Sequence, residues 1–219
     1  MSIAIPTYAP GAITNYSELV TEIRDMMDDV DYDQEAIDRA LRKAEAEFNR
    51  SLRTPDMESR AVFTITDELT QLPDDFLEMR FIFVEGMPDQ PLSSMSPAGM
   101  LANYYGRSGT PMAYTIEGNS LRVGPVGNTA VEMVYYARIS ALTSAQVSNW
   151  LLRKHPDLYV AGVMYHLARR ERDSDGMAQA AQEVSALTGE INKAAQNARW
   201  GSAPLTPRGV SQVSSRVRI

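Results

Sequence analysis

The 219-residue sequence contains no cysteine. That absence removes disulfides, thiolate metal sites and a cysteine nucleophile, and it fits folding in a reducing cytoplasm. Histidine is nearly as scarce, with only His155 and His166. On one helix these two would stand about 16 Å apart along the axis, too far to share a metal within a subunit. Long apolar runs are missing too. The longest, Leu158–Tyr165, falls far short of the roughly 20 residues that span a bilayer, so no membrane segment is expected. The opening residues lack the basic start and apolar stretch of a signal peptide. No Gly-x-Ser-x-Gly, P-loop or Gly-x-Gly-x-x-Gly motif occurs. Asp29-x-Asp31-x-Asp33 begins like an EF-hand loop, but Gln34 stands where glycine is needed and Ala40 where a bidentate glutamate is needed. Helix capping by a solvated acid is the better reading. Asp74 and Asp75 are loop neighbours, and nothing marks them as an acid/base pair. No catalytic residue, cofactor or metal site is therefore expected, and the protein does not read as an enzyme.

Lysine is rare as well: only Lys43, Lys154 and Lys193 occur, so positive charge rests mainly on arginine, whose planar fork suits assembling surfaces. Acidic residues stop at Glu190. Removing the five basic residues beyond it (Lys193, Arg199, Arg208, Arg216, Arg218) leaves 16 basic against 28 acidic in residues 1–190, a net charge of −12. Such a body repels duplex DNA, while the +5 end can seek an acidic partner. Arg169, Arg170 and Arg172 read as charge at a helix C-terminus, favoured by its dipole.

What is present is a change of period along an ordinary globular composition, 44% apolar and 22% charged. Tyr16, Leu19, Val20, Ile23, Met26 and Met27 make one helical face behind Asn15 as N-cap. Ile37, Leu41, Ala44, Phe48 and Leu52 make a second, capped by Asp33 and stopped before Pro55. Strands follow at 61–66, 79–84, 113–116, 120–123 and 131–136, with a tight hairpin at Gly118-Asn119 and a short helix within 96–105. Helices resume with a turn or two over 144–152, a very apolar segment from Pro156 to about Arg172, and a last helix. Gly162 costs about 1 kcal/mol against alanine unless close packing needs it. In the last helix Met177, Val184, Ile191 and Ala198 repeat at seven, with Ala180, Leu187 and Ala194 between them, a seam of mostly small residues.

The expected fold class is α+β. Two N-terminal helices (1–59) and two or more C-terminal helices (141–200) form a bundle. An antiparallel β domain (60–140) is inserted between them, and an extended C-terminal arm (201–219) follows. In the arm, Arg208, Val210, Val213, Arg216, Val217, Arg218 and Ile219 combine basic charge with apolar residues spaced for one face.

The phrases "NRSLRTPDME", "LPDDFLEMR", "GTPMAYTIEGNSLRVGPV", "VEMVYYARISALT" and "NWLLRKHPDLYVAGVMYHLA" follow one another in that order. Together, from about Tyr16 to Trp200, they resemble the head-to-tail adaptor (connector) proteins of short-tailed and related tailed bacteriophages. The resemblance implies a structural virion protein made in the host cytoplasm and placed at the portal vertex. There it would form a homo-oligomeric ring, usually of twelve, joining the portal protein to a tail tube or nozzle protein. DNA would pass its channel without specific binding.

Under that reading the arm becomes a portal-docking segment that orders on its partner. Glu18, Glu22, Asp25, Asp28 and Asp29 become candidate channel-facing acids; a plainly solvated face is the alternative. Trp150 and Trp200 are candidate subunit-interface anchors, with buried edge aromatics as the alternative. Two other functions remain to be weighed. A tail-associated hydrolase requires buried carboxylates such as Asp74 and Glu78. A DNA-binding packaging factor requires a contiguous basic face.

Overall fold

The computed structural model describes residues 13–27 and 33–200, the last of them without its side chain. Helix α1, Tyr16–Met26, starts where Asn15 Oδ1 accepts from Glu18 N at 3.0 Å. Glu18 answers by accepting from Thr14 N at 2.7 Å and Thr14 Oγ1 at 2.8 Å, so the first turn is capped from both directions. Helix α2, Gln34–Ser51, is capped by Asp33, whose Oδ1 accepts from Ala36 N at 2.6 Å. The capping reading of Asp33 therefore holds; Asp29 and Asp31 lie outside the described residues.

After a 3-10 turn at Pro55–Met57 come β1 (Glu58–Ile65), β2 (Leu69–Gln71), β3 (Phe76–Val84) and β4 (Ser93–Ser94). Helix α3, Pro97–Tyr104, is capped by Ser96. Strands β5 (Ala113–Glu117), β6 (Ser120–Gly124) and β7 (Thr129–Ala137) complete two sheets, ordered β1-β7-β3 and β2-β6-β5-β4. The hairpin turn falls at Gly118-Asn119, with Gly118 at φ 62, a left-handed conformation that glycine adopts without strain. The five expected strands pair antiparallel. The two unforeseen ones are two and three residues long, and β4 pairs with β5 in parallel. Arg122 on β6 binds Glu117 and Glu68, each at 2.7 Å.

The segment expected to be helical at 144–152 is helical only from Trp150, in α4 (Trp150–Lys154). Residues 144–149 are held in a turn by Thr143 Oγ1, which accepts from Ala145 N and Gln146 N, and Asn149 then caps α4 through Leu152 N. Helix α5, Pro156–Glu171, places Pro156 at its first turn and ends at Arg172 in the left-handed conformation. Helix α6 runs from Ser174 to Trp200.

Helix α5 is the centre of the bundle, packed by α1, α2, α4 and α6. A Cβ on Gly162 would stand 2.6 Å from Phe48 Cζ and 3.1 Å from Ala44 Cβ, so this glycine is what lets α2 and α5 approach. The seam of α6 holds through Ile191 and then shifts. Ala195 is buried, while the heptad positions Ala194 and Ala198 are exposed. A straight helix drifts about 20° per heptad against a strict seven-residue repeat, which moves the contact line by one residue.

Two apolar clusters result. One gathers the helices around Phe48, Leu152 and Tyr159 and takes in Tyr136 from β7 and Met57, Ile139 and Leu142 from the connecting segments. The other lies between the sheets, around Ile65, Ile82, Leu121 and Val131.

Candidate assembly surfaces

Burial determines which polar groups are left to meet a partner. Inside the bundle, Glu45 accepts from Leu142 N at 2.8 Å and from the Tyr159 hydroxyl at 3.2 Å. Asn149 Nδ2 donates to that same hydroxyl at 2.6 Å and to Ser140 O at 2.7 Å. Burial pushes the Glu45 carboxyl up to about 7 and raises Tyr159 as well. This network fixes the return of the chain from the sheets onto the helices, and it is enclosed.

On α1 the candidate acids Glu18, Glu22 and Asp25 fall at i, i+4 and i+7, a single stripe. Glu18 and Asp25 are exposed and Glu22 is half-buried. The two Thr14 hydrogen bonds hold Glu18 below the usual carboxylate range, so it stays charged. Beside them Tyr16 donates to Asp38 Oδ1 at 2.5 Å, and burial together with that carboxylate raises the phenol to about 12. Gln34 bridges Tyr16 and Asp38 and accepts from Arg24 at 2.9 Å, tying α1 to α2. Asp28 and Asp29 lie outside the described residues.

Opposite in sign is a cleft of about 610 Å³ between α2 and α5, lined by Lys43 and Arg50 from one helix and Arg169 and Arg170 from the other. Charge at the end of α5, taken from sequence as a response to the helix dipole alone, here faces two cations more than a hundred residues earlier. Glu47 sits among them, 3.9 Å from Arg50 and 3.4 Å from His166 Nε2. His166 is buried at the core edge, and its Nε2 makes no hydrogen bond among the described residues, Glu47 standing near it without the geometry for one. Desolvation lowers its pKa and keeps the ring neutral.

Trp150 is half-buried and packs on the helical cluster. With Ile191 and the exposed Ala194 and Ala198 it lines a cleft of about 350 Å³. That is an apolar edge with space beside it. The Trp200 side chain lies outside the described residues, as do Arg208, Val210, Val213, Arg216, Val217, Arg218 and Ile219. Two of the five cations assigned to the basic end belong to the folded body: Lys193 and Arg199 lie in α6. Arg199 donates to Arg53 O at 2.8 Å and to the Tyr136 hydroxyl, and its guanidinium lies 5.4 Å from that ring centroid. Arg53 and Arg80 approach the same ring at 5.7 and 5.5 Å. The arm proper therefore carries three cations.

Asp74 and Glu78 are both exposed, and Glu78 is bound to Arg53 at 2.7 Å, so the buried carboxylate pair of a hydrolase is not found there. Among the described residues no group of three or more His, Asp or Glu side chains is placed to hold a metal, and no helix is long and apolar enough to cross a membrane.

No curated protein matches the sequence. The model of the SU10 adaptor protein family matches residues 14–208, a span that contains every described helix and strand. That match covers most of an α+β chain, and the chain belongs to the SU10 adaptor protein family of phage head-to-tail adaptors and is a structural protein of a bacteriophage virion.

Proposed function

We propose that the protein assembles as a ring, twelve subunits in number, that joins the portal to the tail at the portal vertex and lines the channel through which DNA leaves. The family match across the whole described fold carries this reading. The surfaces add support. A closed ring repeats a heterologous contact, so each subunit needs two different, complementary patches. This subunit has an acidic stripe on α1 and a cationic cleft between α2 and α5. The cleft is interrupted by Glu47, which suits a carboxylate-bearing protein surface better than a continuous phosphate backbone.

In this reading the bundle (1–59 and 141–200) surrounds the channel and the β domain (60–140) faces a tail tube or nozzle protein. Those of Glu18, Glu22, Asp25, Asp28 and Asp29 that face the channel repel phosphates, so DNA slides without sticking. Trp150 and Trp200 anchor neighbouring subunits. The arm (201–219) docks on the portal, with Arg208, Arg216 and Arg218 meeting its acidic residues.

Deleting residues 201–219 is expected to leave the far-UV circular dichroism and melting temperature of the subunit unchanged while abolishing co-purification with portal rings. Size exclusion and electron microscopy of the two proteins together give the readout. Full portal affinity in the truncated chain would sink the arm assignment, and failure of the intact chain to form rings on portals would sink the adaptor-ring reading.

A further inference from the structure

A second groove, of about 600 Å³, runs between the C-terminal end of α1 and the α5–α6 pair. Its floor is apolar and rich in methionine: Met26, Met27, Val160 and Met164, with Met26 55% exposed. Methionine floors accept varied side chains because the unbranched thioether repacks easily. Its rim is acidic, formed by Glu171, Asp173 and Glu183, all exposed. Asp173 uses Oδ1 to cap α6 through Asp175 N and Gly176 N, which leaves its charge in place. None of these three acids makes an ion pair among the described residues. An apolar floor ringed by unpaired carboxylates calls for an occupant that is apolar on one side and cationic on the other.

Residues 213–219, Val-Ser-Ser-Arg-Val-Arg-Ile, have that composition. In an extended chain side chains alternate, which would set Val213, Val217 and Ile219 on one side and Arg216 and Arg218 on the other. We infer that this segment of the C-terminal arm docks in the groove of its own chain before a portal is met.

Reach agrees with a contact within one chain. Trp200 ends α6, and Glu183 stands about 26 Å back along that helix at 1.5 Å per residue. The twelve residues 201–212 extend to about 40 Å, enough to cover that distance with slack. From Glu183 to Asp173 the rim runs about 15 Å. Seven extended residues cover about 23 Å, so 213–219 can span it. The family match stops at residue 208, so residues 213–219 lie outside the matched span. The same residues cannot occupy the groove and a portal together. Docking in the groove therefore competes with portal capture and withholds the arm until a portal with higher affinity draws it away.

The absence of native cysteine makes the test direct. In the full-length chain, without portal, Ser214→Cys is combined with Gln179→Cys, an exposed groove residue. As a control it is combined with Tyr105→Cys, an exposed position after α3 on the sheet side. Under mild oxidation the groove pair is expected to form an intrachain disulfide at least ten times faster than the control, read as a faster-migrating band on a non-reducing gel. Adding Glu171→Lys and Glu183→Lys is expected to slow it several-fold, with circular dichroism verifying the fold of each variant. Equal rates for the two pairs would overturn the groove contact, and a covalent dimer would assign the groove to a second copy's arm instead. A rate indifferent to the two lysines would overturn the charge complementarity. None of these outcomes depends on portal binding, so the groove contact can fail while the ring reading stands, and the reverse.

Discussion

The helical bundle and the paired sheets keep their polar groups in different places. The bundle buries Glu45, Asn149 and His166 and joins the first two through Tyr159 to the backbone at Ser140 and Leu142. The sheets bury almost only apolar side chains, Thr115 aside, and place their ion pairs, Arg60–Glu132 and Arg122 with Glu68 and Glu117, at the periphery. Buried hydrogen bonds act in a low dielectric, where a satisfied network holds one geometry and a broken one is costly. The bundle is thus the part of the subunit whose arrangement is specified most tightly and which holds a buried carboxyl that titrates near neutrality. The sheets depend on apolar packing and present their charges outward.

The largest expected effect comes from removing the ring on which the bundle closes. Phe48 is 1% exposed and meets Tyr159 edge-on at 5.4 Å. Phe48→Ala is expected to cost about 3–5 kcal/mol in urea denaturation. Because Tyr136 on β7, with Met57, Ile139 and Leu142 in the connecting segments, carries the bundle's cluster into the sheet, helix and sheet signals should fall together. A sheet signal that outlasts the helical one would show that the two regions unfold separately.

The pH response separates the regions next. Glu45 is raised to about 7 in the native state from an ordinary value of 4.5, so between those values the native chain holds a proton that the unfolded chain has released. The stability it contributes is complete below about pH 4.5 and is lost as pH rises through 7, a change of up to about 3 kcal/mol. Burial depresses His155 and His166 and acts in the opposite direction, destabilising the fold as pH falls below their unfolded values. Subtracting the profile of Glu45→Gln from that of the parent isolates the carboxyl. The difference between pH 5 and pH 8 should approach that figure, and parallel profiles would remove Glu45 as its source.

The same contrast explains what could be read from the sequence. The helices announce themselves through period and caps, as at Asn15, Asp33 and Pro156, because both signals are local. Strands β2 and β4 are too short to show an alternation, and β4 depends on a parallel partner twenty residues away. The start of α4 is marked by Asn149, an N-cap immediately before Trp-Leu-Leu, while residues 144–149 form a turn held by Thr143. The cationic cleft joins Lys43 and Arg50 to Arg169 and Arg170, and only packing brings α2 beside α5. Nothing in the sequence links those positions. The acidic groove was hidden for the same reason, since its floor and rim come from three helices.

The smallest expected effect lies where the two regions meet. Arg53, Arg80 and Arg199 stand 5.4–5.7 Å from the centroid of the Tyr136 ring, three cations around one aromatic side chain. Their mutual repulsion is offset by Glu58, 3.3 Å from Arg80 and 3.7 Å from Arg199, and by Glu78 on Arg53. Arg199 is the member that crosses from α6 to the sheet, through the Tyr136 hydroxyl and the Arg53 carbonyl. Arg199→Ala is expected to cost about 1.5–3 kcal/mol, the range for hydrogen bonds to a charged group. Both bonds leave one nitrogen, Nη2, so Arg199→Lys should recover part of the loss: an ammonium can replace those two donors but not the planar contact with the Tyr136 ring. Arg80→Ala, which removes one ion pair to Glu58 and one ring contact from a side chain 37% exposed, should cost less than about 1 kcal/mol. An equal loss from both alanine variants would mean that the ring is held by general cation–aromatic attraction. A loss confined to Arg199 would place the junction in its two hydrogen bonds, and with it the coupling between the end of α6 and the sheets.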